Sequence, residues 1–357
     1  TVTVLSRWFP NLPEREEFQG YTVLRFGKNV KSWQRLPISF NPFWKNAIER
    51  AVSECKPDLI ITREMLLAGA SNSIAKKKSI PTVIDMAENY PGAMRGWKQY
   101  QSRLLSRFAV NTLRLPDKLE KNAVLGSDGI IVVCDEQAGR LNSLYKFPVN
   151  QIELVQNTPE LGTFSKIRKE CSQPPVVFGH HGLFTLDRGL ENLVRGFEIA
   201  ANELQSIRLQ LYGKGETYND INRIISSSAH RDKMEIHGEY PLSMLPEIYS
   251  KVDVGVLPYF PDENFNMTIA NKLFDYLSCG KPVIVSEALP MKRIIEETKA
   301  GISTDCSTPE KIASAIKQIF HSNLKEMSEN GQKFAEKKYN WAVDSERLCK
   351  FAKKFIT

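Results

Sequence analysis

Short β-branched runs alternate with longer helical patterns along nearly the whole chain, and the alternation runs twice. In the first half, strands are expected at residues 1–5, 22–25, 59–62, 82–85, 129–133 and 152–155, with helical patterns over 42–54, 65–77, 92–125 and 136–145. A polar stretch from 157 to 175, with prolines toward both ends, interrupts the pattern. It then restarts, with strands expected at 176–178, 207–211, 234–237, 252–257, 282–285 and 301–304, each followed by a loop and a helix. Strands that alternate with helices must pair in parallel, because each return crosses the sheet. The expected fold class is therefore α/β, with two doubly wound domains facing across a cleft at the carboxyl ends of their strands, where such sheets bind ligands. The reading divides the chain into 1–157, a linker over 158–175, a second domain over 176–335, and a carboxyl-terminal helix over 336–357 that crosses back to the first domain.

Composition narrows the function classes. No apolar run reaches the ~18 residues that a membrane span requires, which removes the integral membrane class. The net charge is +7, but no zinc finger, ribonucleoprotein strand motif or separate basic arm accompanies it, so nucleic acid is not expected as a partner. Six cysteines lie scattered without a Cys-x-x-Cys pair, the pattern of reduced, buried cytoplasmic thiols.

Three segments carry the chemistry. The first, NFNMTIANKLFDYLSCGKPVIVS from Asn264 to Ser286, places Ala270, Leu273, Phe274 and Leu277 at the spacing of one buried helical stripe. Thr268, Asn271, Lys272 and Asp275 share the other side. The amino end of that helix, near Thr268, Ile269 and Ala270, offers free N–H groups to an anion such as a diphosphate. Asp275 lies too deep to reach the same anion and is placed to accept hydrogen bonds from a ribose. A solvated helix face is the alternative. The second segment, GHHGLFTLDRGLENLVRGF, follows the first strand of the second domain. Gly182 and its neighbouring glycines allow close backbone approach, Arg188 supplies countercharge for a phosphate at the helix entrance, and Asp187 reads as that helix's cap. His180 and His181 have no third ligand in view and read as structural rather than metal-binding. The third segment, LYGKGE, ends a strand with Gly213 and Lys214, either beside a ligand or simply as a turn.

Together these segments resemble the nucleotide-sugar-binding domain of GT-B glycosyltransferases of the retaining family 4. NKLFDYLSCGKPVI is similar to the version in bacterial members that assemble surface polysaccharides on a lipid carrier. In the first half, KPDLIITRE, IPTVIDMAENYP, SDGIIVVCDEQ and IELVQNTPE resemble the acceptor-side Rossmann-like domain, and YNWAVDSERLCKF resembles the crossing helix. The resemblance implies a GT-B fold and transfer of a sugar from a uridine diphosphate sugar to a glycan or polyprenyl-diphosphate-linked acceptor, with no cofactor and no metal. With the scattered thiols and the basic segment described below, the expected location is the cytoplasm, peripheral on the inner face of the plasma membrane. Arg188 and Lys272 are then the cations facing the leaving diphosphate, and Gly182, Gly213, Lys214, Tyr240, Thr268, Ile269, Ala270, Asn271 and Asp275 complete the donor site. Asp85 and Glu88 are the nearest acidic groups on the acceptor side, and Glu88 is the one assigned to catalysis.

Departures from the family pattern keep alternatives open. Asp275 stands at the second of two customary acid positions, but Met267 occupies the first, with Asp262 or Glu263 as substitutes. Of the customary basic pair only Arg188 is present, and Gly182 stands at the other position. The opening residues resemble the family's second strand, so its first strand, glycine loop and helix are expected ahead of Thr1. A degenerate subunit that binds a partner transferase and a sugar-nucleotide epimerase of the same fold are the competing readings.

Residues 92–121 hold seven basic and two acidic residues, interleaved with Trp97, Tyr100, Leu104, Leu105, Phe108 and Val110. That mixture suits either an element lying on an anionic membrane surface or a helix packed inward on its apolar side.

Overall fold

The computed structural model describes residues 1–164, 167 and 175–356. Most of the expected linker, with Cys171, lies outside the described residues. The chain divides into two compact units: the first is Thr1–Leu154 together with the residues from Arg347 onward, and the second is Val155–Glu346.

In the first unit, β1 (Val2–Arg7), β2 (Arg15–Phe18) and β3 (Tyr21–Phe26) form a sheet in the order β1-β3-β2, while β4 (Ile60–Arg63), β5 (Thr82–Met86), β6 (Gly129–Val132) and β7 (Ile152–Leu154) form a second in chain order. The second sheet is wholly parallel, and β1 pairs in parallel with β3. The strands of this unit thus pair as two separate sheets. The two sheets nevertheless share a helical layer, since Leu5 and Ile60 pack on the same cluster of Ile48, Val52, Ala70 and Ile74. A separate core of Met65, Ile84, Met86, Val124, Ile130, Val132 and Leu141 fills the second sheet's face. Gly129 has no room for a side chain, because an added Cβ would meet the rings of Phe351 and Phe355 at 2.9 and 2.6 Å.

The expected single helix over 92–125 is a correction. The segment breaks into Tyr90–Gly96, Lys98–Gln101, Leu104–Arg107, a wide turn over Phe108–Thr112, and Leu115–Leu125. Trp97 and Arg103 take extended backbone angles, Arg114 is left-handed at φ 49°, and Pro116 opens the last helix, where its missing N–H costs nothing. Its aromatic and aliphatic residues also divide. Trp97 lies against Tyr90 and Tyr100, and Val110 is buried, whereas Leu104 and Leu105 are 84% and 85% exposed and Phe108 is 52% exposed.

The second unit is a parallel six-stranded sheet of β8 (Val176–Leu183), β9 (Ile207–Lys214), β10 (Met234–His237), β11 (Val254–Leu257), β12 (Val283–Ser286) and β13 (Gly301–Thr304), in the order β10-β9-β8-β11-β12-β13. The order reverses at β8, whose neighbours are β9 on one side and β11 on the other. The loops after β8 and β11 therefore diverge to opposite faces and leave a crevice between them, the usual ligand position in such sheets. Helices Leu190–Glu203 and Pro309–Phe320 carry Leu193, Val194, Phe197, Ile312, Ile316 and Ile319 into the main core, against Phe178, Leu209, Leu211, Val254, Val256 and Ile284 of the strands.

Two smaller expectations are also corrected. Cys55 and Cys349 are exposed rather than buried, while Cys134, Cys279 and Cys306 are buried as expected. Helix Leu190–Glu203 starts from Gly189, not from an Asp187 cap, with Gly189 left-handed at φ 64°.

Candidate donor site at the sheet reversal

The candidate site residues of the second unit sit where the parallel strands end. His180, His181 and Gly182 close β8, Tyr212, Gly213 and Lys214 close β9, Tyr240 follows β10, and Tyr259 follows β11. Two glycines let the ends of β8 and β9 approach. Gly213 has φ 141°, and a Cβ on it would lie 1.8 Å from the Gly182 carbonyl oxygen, a contact no side chain survives. Gly182 has φ 126°, and its missing side chain leaves room for Lys272, whose Cε and Nζ would lie 2.7 and 2.8 Å from an added Cβ. The amine of Lys272 thus covers the position where the family's other cation is customary. It has no hydrogen-bond or ion-pair partner among the described residues.

Arg188 arrives from the loop after β8. Its guanidinium lies 4.3 Å from the centre of the Tyr259 ring and 4.9 Å from that of Phe265, a cation–π clamp that orients it while leaving donors unspent. Its Nε is buried without a hydrogen bond, and Asp187 Oδ2 stands 4.0 Å away. Gly189 makes this placement possible, since a Cβ there would lie 2.2 Å from the Pro258 carbonyl oxygen. Two further buried atoms lack partners, His180 Nε2 and Tyr259 Oη. His180 faces the Val256 carbonyl oxygen through Nδ1 at 2.8 Å, so Nδ1 donates and Nε2 is a bare acceptor. Burial, and then the nearby positive charges of Lys272 and Arg188, push the His180 pKa down to about 3. A neutral His180 beside two cations leaves the site's positive charge to Arg188 and Lys272.

The helix that supplies Lys272 is Asn271–Ser278, with Ala270 as an extended cap residue that makes no side-chain cap bond. Thr268, Ile269 and Ala270 therefore precede the helix instead of forming its first turn, and the uncapped amides begin at Asn271. Leu273, Phe274 and Leu277 form the buried stripe, with Ala270 only half-buried. Asn271 is exposed and Lys214 is exposed. Asp275 is largely buried: Tyr249 donates to its Oδ2 at 2.9 Å, and its Oδ1 has no partner among the described residues. Burial pushes the Asp275 pKa up to about 6, against the Tyr249 hydrogen bond and the charge of Lys272. Asp262, the proposed substitute for the missing acid at Met267, instead accepts from the amides of Asn264 at 2.7 Å and Phe265 at 2.6 Å, tying down its own loop.

The first unit gathers acidic residues at the ends of β4 and β5. Arg63 Nη1 pairs with Asp85 Oδ2 at 2.5 Å. Glu88 follows β5, and its backbone carbonyl accepts from Gln137 Nε2 at 3.4 Å. The sequence reading overlooked Glu64. Its backbone stands at φ 63° and ψ 165°, a strained region for a residue with a side chain. Its Oε1 accepts from the Ala87 amide at 3.4 Å, and its Oε2 is buried without a partner. Burial pushes its pKa up to about 7, with the nearby Arg63 charge opposing and the Asp85 and Glu88 charges adding.

Tyr249, Tyr259 and Phe265 also escaped the sequence reading, and His181, expected as a structural residue, is hydrogen-bonded through both ring nitrogens. Among the described residues no group of three or more His, Cys, Asp or Glu is arranged to hold a metal ion, and no helix is long and apolar enough to cross a membrane.

Residues 175–322 match the family described as "Glycosyl transferases group 1". A curated relative, the D-inositol 3-phosphate glycosyltransferase of Xylanimonas cellulosilytica, is 21% identical over 206 residues, 53% of this chain and 48% of that protein. The chain thus spans about half the length of that relative. Among solved structures, the sucrose-phosphate synthase of Thermosynechococcus elongatus aligns with a TM-score of 0.76 at 16% identity, covering 99% of this chain and 88% of that one. HepE of Anabaena, solved in complex with UDP, aligns with a TM-score of 0.68 at 12% identity, covering 87% and 82% of the two chains. The fold is that of the GT-B glycosyltransferases, built on two Rossmann-like domains.

Proposed function

We propose that the chain is a glycosyltransferase that moves a sugar from a uridine diphosphate sugar to a glycan or lipid-linked acceptor in bacterial surface polysaccharide synthesis, with retention of the anomeric configuration. One observation carries the reading: Arg188 and Lys272 are brought to the reversal point of the second unit's sheet, Lys272 with no ion-pair partner among the described residues and Arg188 with only the long contact to Asp187. Asp187, the nearest carboxylate to Arg188, stands at the 4.0 Å limit of an ion pair. The match over 175–322 and the UDP complex of HepE support the same reading.

In the reaction, the bond between the sugar's anomeric carbon and the β-phosphate oxygen breaks, and a bond from that carbon to the acceptor oxygen forms. The acceptor's proton passes to the departing phosphate. Negative charge grows on the diphosphate, and cations fixed before the reaction stabilise it without reorganisation. Arg188 and Lys272 fill that role, with the uncapped amides at Asn271 beside them. Two fixed cations offset the charge of two on the bound diphosphate diester, and the acceptor's proton offsets the further charge that develops as it departs, so this reading expects transfer without a divalent metal. Asp275 Oδ1 accepts from the nucleotide, Gly213 permits the close approach of the β8 and β9 ends, and Gly182 makes room for Lys272. Coupled assay of UDP release from UDP-sugars tests the reading, and failure of Arg188→Ala to slow that release would refute the role given to Arg188.

A second reading, a partner-binding subunit without transfer activity, draws on one observation. Met267 replaces the customary acid, and the carboxylate of Asp262 is spent on its own loop. Release of UDP by the purified protein, alone with acceptor, excludes it.

We also propose that Leu104 and Leu105, between the exposed Arg103 and Arg107, together with Phe108 touch an anionic membrane surface. The leucines supply apolar area and the arginines supply charge attraction.

A further inference from the structure

A hydrogen-bonded chain of four side chains from four elements runs through the second unit. Tyr240 Oη lies 2.8 Å from His181 Nδ1, His181 Nε2 lies 2.7 Å from Tyr249 Oη, and Tyr249 Oη lies 2.9 Å from Asp275 Oδ2. Both histidine nitrogens are thus engaged, and Tyr249 and His181 are 0% and 3% exposed. Tyr240 is half-buried, so the chain begins at the surface of the site and ends at the buried carboxylate.

Counting protons fixes its direction. An ionised carboxylate only accepts, so the single hydroxyl proton of Tyr249 is spent on Asp275. Tyr249 Oη can then take only a donor from His181, which puts the imidazole proton on Nε2. His181 is neutral: burial, and the positive charge of Lys272 next to it, hold its pKa well below the ordinary histidine value. A neutral imidazole with its proton on Nε2 has a bare Nδ1, which accepts the hydroxyl proton of Tyr240. The tyrosine proton points inward, and only oxygen lone pairs remain for anything that meets Tyr240 from outside.

We propose that Tyr240 is a specificity-determining contact whose hydroxyl is held as a pure hydrogen-bond acceptor by His181, Tyr249 and Asp275, so that it selects a ligand carrying a hydroxyl or N–H donor at that point. This rests on the nucleotide-binding reading of the same site. A ribose hydroxyl and the N3–H of a uracil ring both carry that chemistry. His181 and Tyr249 act through Tyr240 as positioning residues. A group that presents only an acceptor to Tyr240 meets lone pair against lone pair and leaves two buried acceptors unpaired, the arrangement with the largest penalty.

The test has two arms on the full chain. Nitrogen NMR of the protein labelled at histidine reads the tautomer without any ligand. The expected result for His181 is a protonated Nε2 and an unprotonated Nδ1, with Tyr249→Phe moving the proton to Nδ1. A proton on Nδ1 in the unaltered protein, or an imidazolium at pH 7.5, overturns the assignment. In the second arm, calorimetry with UDP, its 2′-deoxy and 3′-deoxy forms and N3-methyl-UDP identifies the donor. Tyr240→Phe is expected to weaken UDP binding by roughly tenfold while leaving the one analogue that lacks the matching donor unaffected. UDP binding unchanged in Tyr240→Phe overturns this inference alone. No UDP binding by the unaltered protein overturns the nucleotide reading itself, and the tautomer still decides the polarity of the chain.

Discussion

Replacing Gly182 by alanine separates a folding cost from a binding cost within one substitution. At φ 126° an alanine is strained, and its Cβ would sit 2.7 Å from Lys272 Cε and 2.8 Å from Nζ. Backbone strain of this kind costs roughly 1–3 kcal/mol of stability. The clash itself is relieved cheaply, because the atoms it meets are the far end of a flexible side chain, but relief moves the amine away from its place over β8. A charge-assisted hydrogen bond to a phosphate contributes about 1.5–3 kcal/mol, so UDP affinity should fall by roughly 10- to 150-fold. Calorimetry with UDP measures the second effect, and urea unfolding of the unliganded protein measures the first. The decisive comparison is with Lys272→Ala. If Gly182 serves binding only by making room for Lys272, adding Gly182→Ala to Lys272→Ala should cost no further affinity, although the stability loss remains. Independent, additive losses in UDP affinity would refute the placement of Lys272 as the ligand's cation.

Arg188→Ala should reduce UDP binding and UDP release together, by roughly 10- to 100-fold, since its guanidinium makes only one long ion pair, to Asp187 at 4.0 Å; Arg188→Lys should recover little, because an ammonium cannot stack on Tyr259 and Phe265 as a planar fork does. Glu64 binds its proton more tightly folded, with a pKa of about 7, than unfolded near 4.5. Its contribution to stability is therefore complete below about pH 4.5 and is lost as pH rises through 7. Urea unfolding at pH 5 and pH 8 should show the unaltered protein losing up to about 3 kcal/mol more than Glu64→Gln across that interval, and identical pH dependence would count against a buried, protonated Glu64. Leu104→Ser with Leu105→Ser should abolish sedimentation with anionic vesicles at low salt without lowering the melting temperature, as each leucine buries roughly 2 kcal/mol of apolar surface on docking; equal sedimentation with neutral vesicles would sink the membrane proposal.

Sequence pattern was most legible where apolar periodicity and stop signals agreed. Helix Met65–Lys77 and strands β10 and β13 stand at the expected bounds, because their runs end at charged or glycine-bearing turns. β2 was illegible: its sequence REEF offers one apolar residue in four, and it pairs through backbone with β3 beyond Gly20, whose φ of 93° makes the hairpin turn. The segment over 92–125 misled for the opposite reason, since helical periodicity survived across breaks at Trp97, Arg103 and Arg114 that only backbone angles reveal. In the site, Arg188, Gly182, Lys272 and Asp275 could be read from spacing, because each lies in a local motif. Tyr249 could not, and neither could the hydrogen-bonded link that joins it to His181, expected only as a structural histidine, and to Tyr240, expected in the donor site from the family resemblance. His181, Tyr249 and Tyr240 come from a strand end, a short helix and a loop, and only the sheet order brings them onto one hydrogen-bonded path. Glu64 likewise has no local signal, as its significance lies in a strained backbone and an unpaired buried oxygen.

The central claim is that fixed cations at the sheet reversal stabilise a departing nucleoside diphosphate. It is tested most directly by incubating the purified protein with UDP-glucose and other UDP-sugars, with EDTA present, and following UDP release and the anomeric configuration of the product by NMR. The account predicts UDP release that survives EDTA, collapses in Arg188→Ala and Lys272→Ala, and yields the donor's own anomeric configuration. Release that requires a divalent metal, or that persists undiminished in both variants, would contradict it.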